Sequence, residues 1–167
     1  MNDLENDRNS TKPETEQNGE MRNSDVGKEN NNDQRSHYYT DEYGEIIARK
    51  DLHHEAGGLK GSWHRKTEEG FSITLLGMKV GLYNLPAVKN MQEGDQIIIV
   101  EGEKDVDTMT DMGFLATTTP DRQNWYKEYA PYFKNRNVVI IADLDEEGEI
   151  FAKKVAEGLI DTAESVK

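Results

Sequence analysis

The fold is decided by two stretches of sequence, QIIIVEGEKD (residues 96–105) and NVVIIADLDEEG (residues 137–148). Each begins with an unbroken run of mostly β-branched residues, which is typical of a central strand covered by helices on both faces. Each run leads into acids and a glycine, and a charged, helix-like segment follows. Strands that alternate with helices predict a small parallel sheet in an α/β fold.

The segments between and after these strands carry patterns of their own. Residues 104–112 form an amphipathic helical pattern that ends at Gly113, and residues 149–160 form a second one. Residues 114–118 predict a further strand. An aromatic-rich stretch before the second central strand predicts a short helix that Pro131 bends or ends. Together these elements predict helices flanking the parallel sheet.

The segment upstream of the α/β part has shorter, strand-like patterns. A turn at Gly44 predicts a β-hairpin, and residues 71–75 alternate like a half-buried strand. The first 36 residues hold nine acids, five bases and eight asparagines with very few large apolar side chains, which predicts disorder. We therefore predict a disordered tail (1–36), a small β-rich segment (37–90) and an α/β domain (91–167) that is truncated at its C-terminal end.

Composition excludes several classes of protein. A formal charge of −13 argues against coating DNA by bulk charge, because phosphate binding needs clustered Lys and Arg. The absence of cysteine excludes a disulfide framework, a cysteine-type zinc ribbon and a thiol nucleophile. No apolar stretch approaches the roughly 20 residues of a membrane helix, and residues 1–20 lack the apolar core of a signal peptide. We therefore expect a cytoplasmic protein without a membrane partner.

Acidic side chains follow both central strands. Glu101 follows the first strand directly, and Asp143 and Asp145 follow the second. In an extended segment the two aspartates point the same way, and Glu101 faces them if the strands are parallel neighbours about 4.8 Å apart. Such carboxylates repel one another unless a cation lies among them, and oxygen ligands select Mg²⁺ or Mn²⁺. The alternative is that the acids only complement the dipole of the helix that follows each strand.

Position excludes three related motifs. An EF-hand loop beginning at Asp143 would have Lys154 where the bidentate glutamate belongs. A phosphatase-type aspartate pair needs a small hydroxyl or apolar residue at the position of Glu147. No Gly-Lys-Ser/Thr phosphate loop occurs, so ATP hydrolysis by that route is excluded.

The densest group of basic residues lies around the β-rich segment and consists of Lys50, Lys60, Arg65, Lys66 and Lys79. Interleaved with Trp63 and Tyr43, such residues can hold a single strand by phosphate contacts and base stacking. The same mixture also makes an ordinary solvated β surface. Both interpretations stay open on composition alone.

In combination these motifs resemble the Toprim domain, which is shared by bacterial primases, type IA and II topoisomerases and certain small nucleases. The resemblance rests on a hydrophobic strand, Glu-Gly, a helix, ATTTP (residues 116–120), a Trp-centred segment, a second hydrophobic strand and Asp-x-Asp-x-x-Gly. It is strongest for phage- and plasmid-type primases and primase-helicases, in which an element like LYNLP (residues 82–86) commonly precedes the first strand. Where these primases have a glycine pair after the ATTTP turn, this chain has Asp121-Arg122.

The resemblance implies the catalytic core, or part of it, of a DNA primase that joins ribonucleotides on a single-stranded DNA template by two-metal phosphoryl transfer. It implies Glu101, Asp143 and Asp145 as catalytic residues that hold Mg²⁺ or Mn²⁺, with Glu147 as a further candidate ligand. The partners implied are the template, NTPs and a helicase domain or another replication protein. The residues expected at template or nucleotide phosphates are Lys60, Arg65, Lys66 and Lys104.

Two other functions stay open. With water as the nucleophile, the same acids make a metal-dependent nuclease. Without chemistry, the domain is a nucleic-acid-binding module. The sequence also leaves open whether Glu101 is a metal ligand or a general base.

Overall fold

A computed structural model of the chain describes residues 35–56, 58–73, 78–122 and 124–167. All of the predicted tail except Arg35 and Ser36 lies outside these residues, and those two belong to the first strand. Two four-stranded sheets are present in the described part. None of its helices is long and apolar enough to cross a membrane.

The first sheet is antiparallel and has the strand order β1 (Arg35–Thr40), β2 (Ile46–Glu55), β3 (Gly58–Thr67) and β4 (Gly70–Ser72). The predicted hairpin is confirmed as β1 and β2. In its turn, the Asp41 carboxylate accepts hydrogen bonds from the N–H groups of Tyr43 and Glu45. Gly44 has a φ of 91°, which glycine adopts without a steric penalty. The strand predicted over residues 71–75 appears as β4, and residues 74 and 75 lie outside the described part.

The second sheet is parallel and has the strand order β6 (Ala116–Thr117), β5 (Gln96–Val100), β7 (Asn137–Ile141) and β8 (Ser165–Val166). Its centre is the pair of strands predicted from the two β-branched runs. Four of the five residues of β5 are buried, as expected for a central strand. The predicted fold class is therefore confirmed: a small parallel sheet with flanking helices follows a β-rich segment.

The helices are α1 (Leu85–Lys89), α2 (Glu103–Asp111), a 3-10 helix (Lys127–Phe133) and α3 (Glu146–Leu159). Asp145 caps α3, because its carboxylate accepts the Gly148 N–H at 2.8 Å. The predicted aromatic helix is the 3-10 helix. Pro131 lies inside it and does not end it, and the Pro131 carbonyl still accepts the Lys134 N–H. The predicted end at Pro131 is therefore wrong, because proline removes only its own N–H donor and two further helical residues follow it. The predicted bend stays a prediction.

The two sheets share a hydrophobic core. Tyr39 and Ala48 of the first sheet are fully buried and pack in one cluster with Ile98, Val100 and Val106. The boundary predicted between residues 90 and 91 stays a prediction, but apolar contacts cross it. The β-rich segment is therefore packed directly on the parallel sheet.

The LYNLP element (residues 82–86) attaches the β-rich segment to the edge strand β6. The Tyr83 N–H donates to the Thr118 carbonyl at 3.0 Å, and the Thr117 hydroxyl donates to the Tyr83 carbonyl at 2.6 Å. The side-chain amide of Asn84 donates to the Ala116 carbonyl at 3.1 Å. Asn84 has a φ of 58°, a left-handed conformation that asparagine tolerates better than most residues. These bonds fix the position of β6 and of the Thr-rich turn behind it.

A buried charged contact also joins the two sheets. The Glu103 carboxylate, in the first turn of α2, accepts hydrogen bonds from the Tyr39 hydroxyl and the Lys50 ammonium, each at 2.6 Å. Side-chain exposure is 6% for Glu103 and 17% for Lys50. Burial, and then the charge of Glu103, raises the pKa of the Tyr39 hydroxyl above its usual value, so the hydroxyl stays a donor. The start of α2 is thus held by side chains from β1 and β2.

We expect Lys50→Met to lower the free energy of unfolding by about 3 kcal/mol, the lower end of the range for breaking a buried ion pair, because the Glu103 charge then stays buried without its cation. Adding Glu103→Gln should recover part of this loss, since the neutral amide oxygen still accepts from Tyr39. Urea unfolding of both single variants and the double variant measures the coupling. A Lys50→Met variant as stable as the parent would contradict the importance of this pair.

Candidate active site

The predicted acids lie at the carboxyl end of the parallel sheet. Glu101 follows β5 directly and is only 5% exposed. Its Oε1 accepts the backbone N–H of Asp143 at 2.6 Å, and its Oε2 accepts from the Arg122 guanidinium at 3.3 Å. The structure therefore brings Glu101 to the loop that carries Asp143 and Asp145.

Gly148 packs against the same contact. A Cβ atom at this position would lie 2.2 Å from the Asp143 carbonyl oxygen and 2.6 Å from Oε1 of Glu101. Both distances are far shorter than any van der Waals contact. Glycine is required here because the first turn of α3 lies directly on the Asp143 backbone and the Glu101 carboxylate.

The two aspartates present carboxylate oxygens to solvent. Asp143 is exposed, and its side chain makes no hydrogen bond or ion pair with the described residues. Asp145 is exposed and uses one oxygen for the Gly148 N–H. Glu147 is exposed in the first turn of α3, and within the described part its carboxylate has no polar partner. These three side chains are therefore available to a ligand.

These acids meet part of what a hard divalent cation such as Mg²⁺ requires of its ligands. Within the described ranges, no group of three or more His, Asp or Glu side chains lies close enough together to hold a metal ion. Magnesium is commonly held by one or two carboxylates together with water and substrate phosphates, and Asp143 and Asp145 supply that number. Glu101 differs from them, because both of its oxygens already accept hydrogen bonds. Each oxygen keeps a second lone pair, but the Asp143 N–H and the Arg122 guanidinium fix the orientation of the carboxylate.

Arg122 is a residue of this site that the sequence analysis did not predict. Its side chain is 55% exposed and contacts Glu101, which lies 21 positions earlier in the chain. The signal in the sequence was the Asp121-Arg122 pair, where the resembling primases have two glycines. Arg122 adds a positive charge beside Glu101, and more than half of its side chain is exposed.

The predicted basic residues are distributed over two parts of the structure. Lys60 and Lys66 lie on one face of β3, and Arg65 lies on the other, because neighbouring residues of a strand alternate between faces. Lys104 is exposed in the first turn of α2, on the second sheet. Lys104 therefore lies three positions after Glu101, at the start of α2. Lys60, Arg65 and Lys66 lie on β3 of the first sheet.

One face of the first sheet combines cations with aromatic rings. The Lys66 ammonium lies 5.0 Å from the centre of the Phe71 ring, and the Arg49 guanidinium lies 4.6 Å from it. Tyr38 contacts the same ring, with centroids 6.1 Å apart. We call Tyr38, Arg49, Lys66 and Phe71 the Phe71 face. Arg49 and Phe71 were not predicted as binding residues, although strand alternation places them on the face of Lys66.

Comparison with known proteins supports the fold. No protein-family model matches the chain. The solved structure of the DnaG catalytic core is similar, with a TM-score of 0.53 and 20% identity, over 75% of this chain and 39% of that one. At this level of identity the likeness shows a shared fold. The mixed α/β arrangement is thus similar to that of the DnaG catalytic core.

A curated relative is the Gene 57 protein of Mycobacterium phage D29. It is 35% identical over 99 residues, which are 58% of this chain and 64% of that protein. The chain therefore spans somewhat less than two thirds of this relative and about two fifths of the DnaG core chain.

Proposed function

We propose that the chain is a Toprim domain with the upstream segment of a DNA primase catalytic core, which joins ribonucleotides on a single-stranded DNA template. The observation that carries the proposal is the contact between Glu101 and the Asp143 backbone at the carboxyl end of the parallel sheet. It occurs on a fold similar to that of the DnaG core. The template, NTPs and a helicase domain or another replication protein are the partners in this proposal.

The acids have separate roles in this proposal. Asp143 and Asp145 hold Mg²⁺ or Mn²⁺, and Glu147 is a further ligand. When bound, the cation would neutralise negative charge on the nucleotide phosphates and on the leaving pyrophosphate. Glu101 orients the aspartate loop through the Asp143 N–H, and it is a further ligand or the general base for the attacking 3′-hydroxyl.

The two parts of the chain also have separate roles. The β-rich segment (37–90) contacts the template, with Lys60, Arg65 and Lys66 at the phosphates. The α/β domain (91–167) carries the acids, and Lys104 contacts a phosphate beside them. Support for this division comes from the Phe71 face, where cations and rings lie together, as on surfaces that bind single strands.

A primer-synthesis assay tests the proposal. The protein is incubated with single-stranded DNA, NTPs and Mg²⁺ or Mn²⁺, and labelled RNA products are separated by length. Metal-dependent oligomers that require template and NTPs are expected. Degradation of the template without NTPs would instead support a nuclease. Strand binding with neither reaction would support a non-catalytic module.

We expect the double change Lys60→Ala and Lys66→Ala to weaken single-strand binding and to flatten its salt dependence. Removing one cation that binds a phosphate should reduce the slope of log K against log salt by roughly 0.7. Fluorescence anisotropy with a labelled oligonucleotide at several salt concentrations measures this slope. The matched control is Lys127→Ala with Lys153→Ala, which removes the same charge from exposed positions of the 3-10 helix and α3. Equal losses of affinity in both double variants would contradict a local binding surface.

A further inference from the structure

A cleft of about 450 Å³ lies between the first sheet and the 3-10 helix. Trp63 of β3 lines it, together with Val80, Pro120 and Asp121 and with Tyr126 and Tyr129 at the start of the 3-10 helix. The volume is within the range of clefts that bind small molecules, roughly 300–1,000 Å³. The cleft is separate from the acids described above, and two of its lining residues, Trp63 and Lys79, belong to the basic and aromatic group found in the sequence.

The aromatic walls of the cleft are held in place by their neighbours. The Trp63 ring packs against Tyr39, with centroids 5.0 Å apart, and the Lys50 ammonium lies 5.5 Å from its centre. The Tyr126 and Tyr129 rings meet at 84° with centroids 5.7 Å apart. The Tyr129 hydroxyl donates to the Val80 carbonyl at 3.3 Å. Because these rings are already ordered, a flat ligand loses little binding energy to rearrangement of the cleft.

The cleft is linked to the candidate active site through a single turn. Pro120 and Asp121 line the cleft, and the next residue, Arg122, contacts Glu101 at 3.3 Å. The exposed part of the Arg122 guanidinium is a donor for phosphate oxygens. A ligand whose flat aromatic part lies against the rings of the cleft can therefore carry a phosphate toward Arg122, which directly follows the lining residue Asp121.

We propose that this cleft binds a nucleobase by stacking on Trp63 and Tyr126, with the attached phosphate directed toward Arg122. The inference rests on the proposed function, since a nucleotide is the substrate of that reaction. Every base has a π face, so stacking on aromatic side chains tolerates all four bases. The base reaches the cleft either on a mononucleotide or on a single strand.

The two tryptophans of the chain allow a direct test by NMR. Trp63 lines the cleft, whereas Trp125 packs against Gly158 of α3 and does not line the cleft. Titration with AMP should shift the indole N–H resonance of Trp63 and leave that of Trp125 in place. Inorganic tripolyphosphate, which has no base, should shift neither resonance. A short oligodeoxythymidine in place of AMP reports whether a base on a strand enters the cleft.

Substitution of Tyr126, an exposed side chain of the cleft wall, tests whether stacking contributes to AMP binding. Tyr126 is 47% exposed, and Tyr126→Ala should weaken AMP binding about tenfold, the usual effect of removing one stacking partner. Phe114→Ala, which changes an aromatic side chain of the same exposed fraction just after α2 and outside the cleft, should leave binding unchanged. Equal binding by the Tyr126→Ala variant and the parent would overturn the assignment. The assignment would also be overturned if the Trp63 resonance shifted with neither AMP nor the oligonucleotide. It would be overturned as well if that resonance shifted as much with tripolyphosphate as with AMP.

These outcomes separate the cleft from the proposed reaction. Primer synthesis without any Trp63 shift would keep the proposed function and overturn the nucleobase site. A Trp63 shift that Tyr126→Ala weakens, in a protein that makes no primers with either metal, would keep the nucleobase site and overturn the proposed reaction.

Discussion

Asp143→Asn is expected to reduce primer synthesis on the order of 10²–10³-fold, the usual effect of losing one group that stabilises transition-state charge. The amide keeps the size of the side chain but loses the negative charge that the proposed function assigns to binding a divalent cation. Asp143 is exposed, and its carboxylate has no polar partner among the described residues. The unfolding temperature and single-strand binding should therefore stay close to those of the parent. Initial rates of primer synthesis, with Mg²⁺ and Mn²⁺ in turn, measure the effect.

The control for this prediction is Asp161→Asn. Asp161 is an exposed acid just beyond α3, and the change removes the same charge far along the chain from the acid loop. It should leave the rate of synthesis unchanged. Full activity in the Asp143→Asn variant would mean that this carboxylate is not a ligand. Equal losses of activity in both variants would mean that net charge, and not the acid loop, controls the rate.

The centre of the fold was predictable because a strand that is covered on both faces is an almost continuous apolar run in the sequence. The runs that became β5 and β7 contain no alternation. In β5 four of the five residues are buried, as coverage of both faces requires, whereas β7 buries only Val138 and leaves Ile141 43% exposed. A short edge strand has too few residues to form a clear apolar run. A strand was predicted over residues 114–118, but β6 spans only Ala116–Thr117. The Phe114 N–H donates to the Met109 carbonyl at 2.9 Å and so closes the end of α2, which delays the start of the strand.

The candidate site was predictable where it depends on sheet geometry alone. Parallel neighbouring strands place their carboxyl ends together, so the approach of Glu101 to the aspartate loop follows from the order of elements. Contacts made by loops and between sheets were not predictable. Arg122 reaches Glu101 from an irregular turn, and Lys50 reaches Glu103 across 53 positions. Periodicity reports which face of an element is buried, but it does not report which element covers that face.

The tightest packing in the site gives the second prediction. Gly148→Ala is expected to lower the free energy of unfolding by about 3 kcal/mol, the upper end of the usual range for overpacking a closely packed position. The added methyl group would lie 2.2 Å from the Asp143 carbonyl oxygen, which is backbone and cannot rotate away as a side chain does. It would also lie 2.6 Å from Oε1 of Glu101, so relief of the clash separates Glu101 from the Asp143 N–H. Thermal unfolding should show a drop of about 8 °C or more.

Gly102→Ala is the matched control, because Gly102 also lies at this end of the sheet, directly after Glu101. Its φ of −133° is ordinary for any residue, and an added Cβ would lie 3.3 Å from Oδ2 of Asp105, the end of a flexible side chain. This change should cost less than about 1 kcal/mol. Gly148→Ala should also weaken Mn²⁺ binding, measured by paramagnetic broadening around Asp143, because α3 no longer holds the aspartate loop against Glu101. Similar stabilities of the two variants would contradict the close packing of α3 on the acid loop. A destabilised Gly148→Ala variant with unchanged Mn²⁺ binding would show that the aspartates bind metal without the support of Glu101.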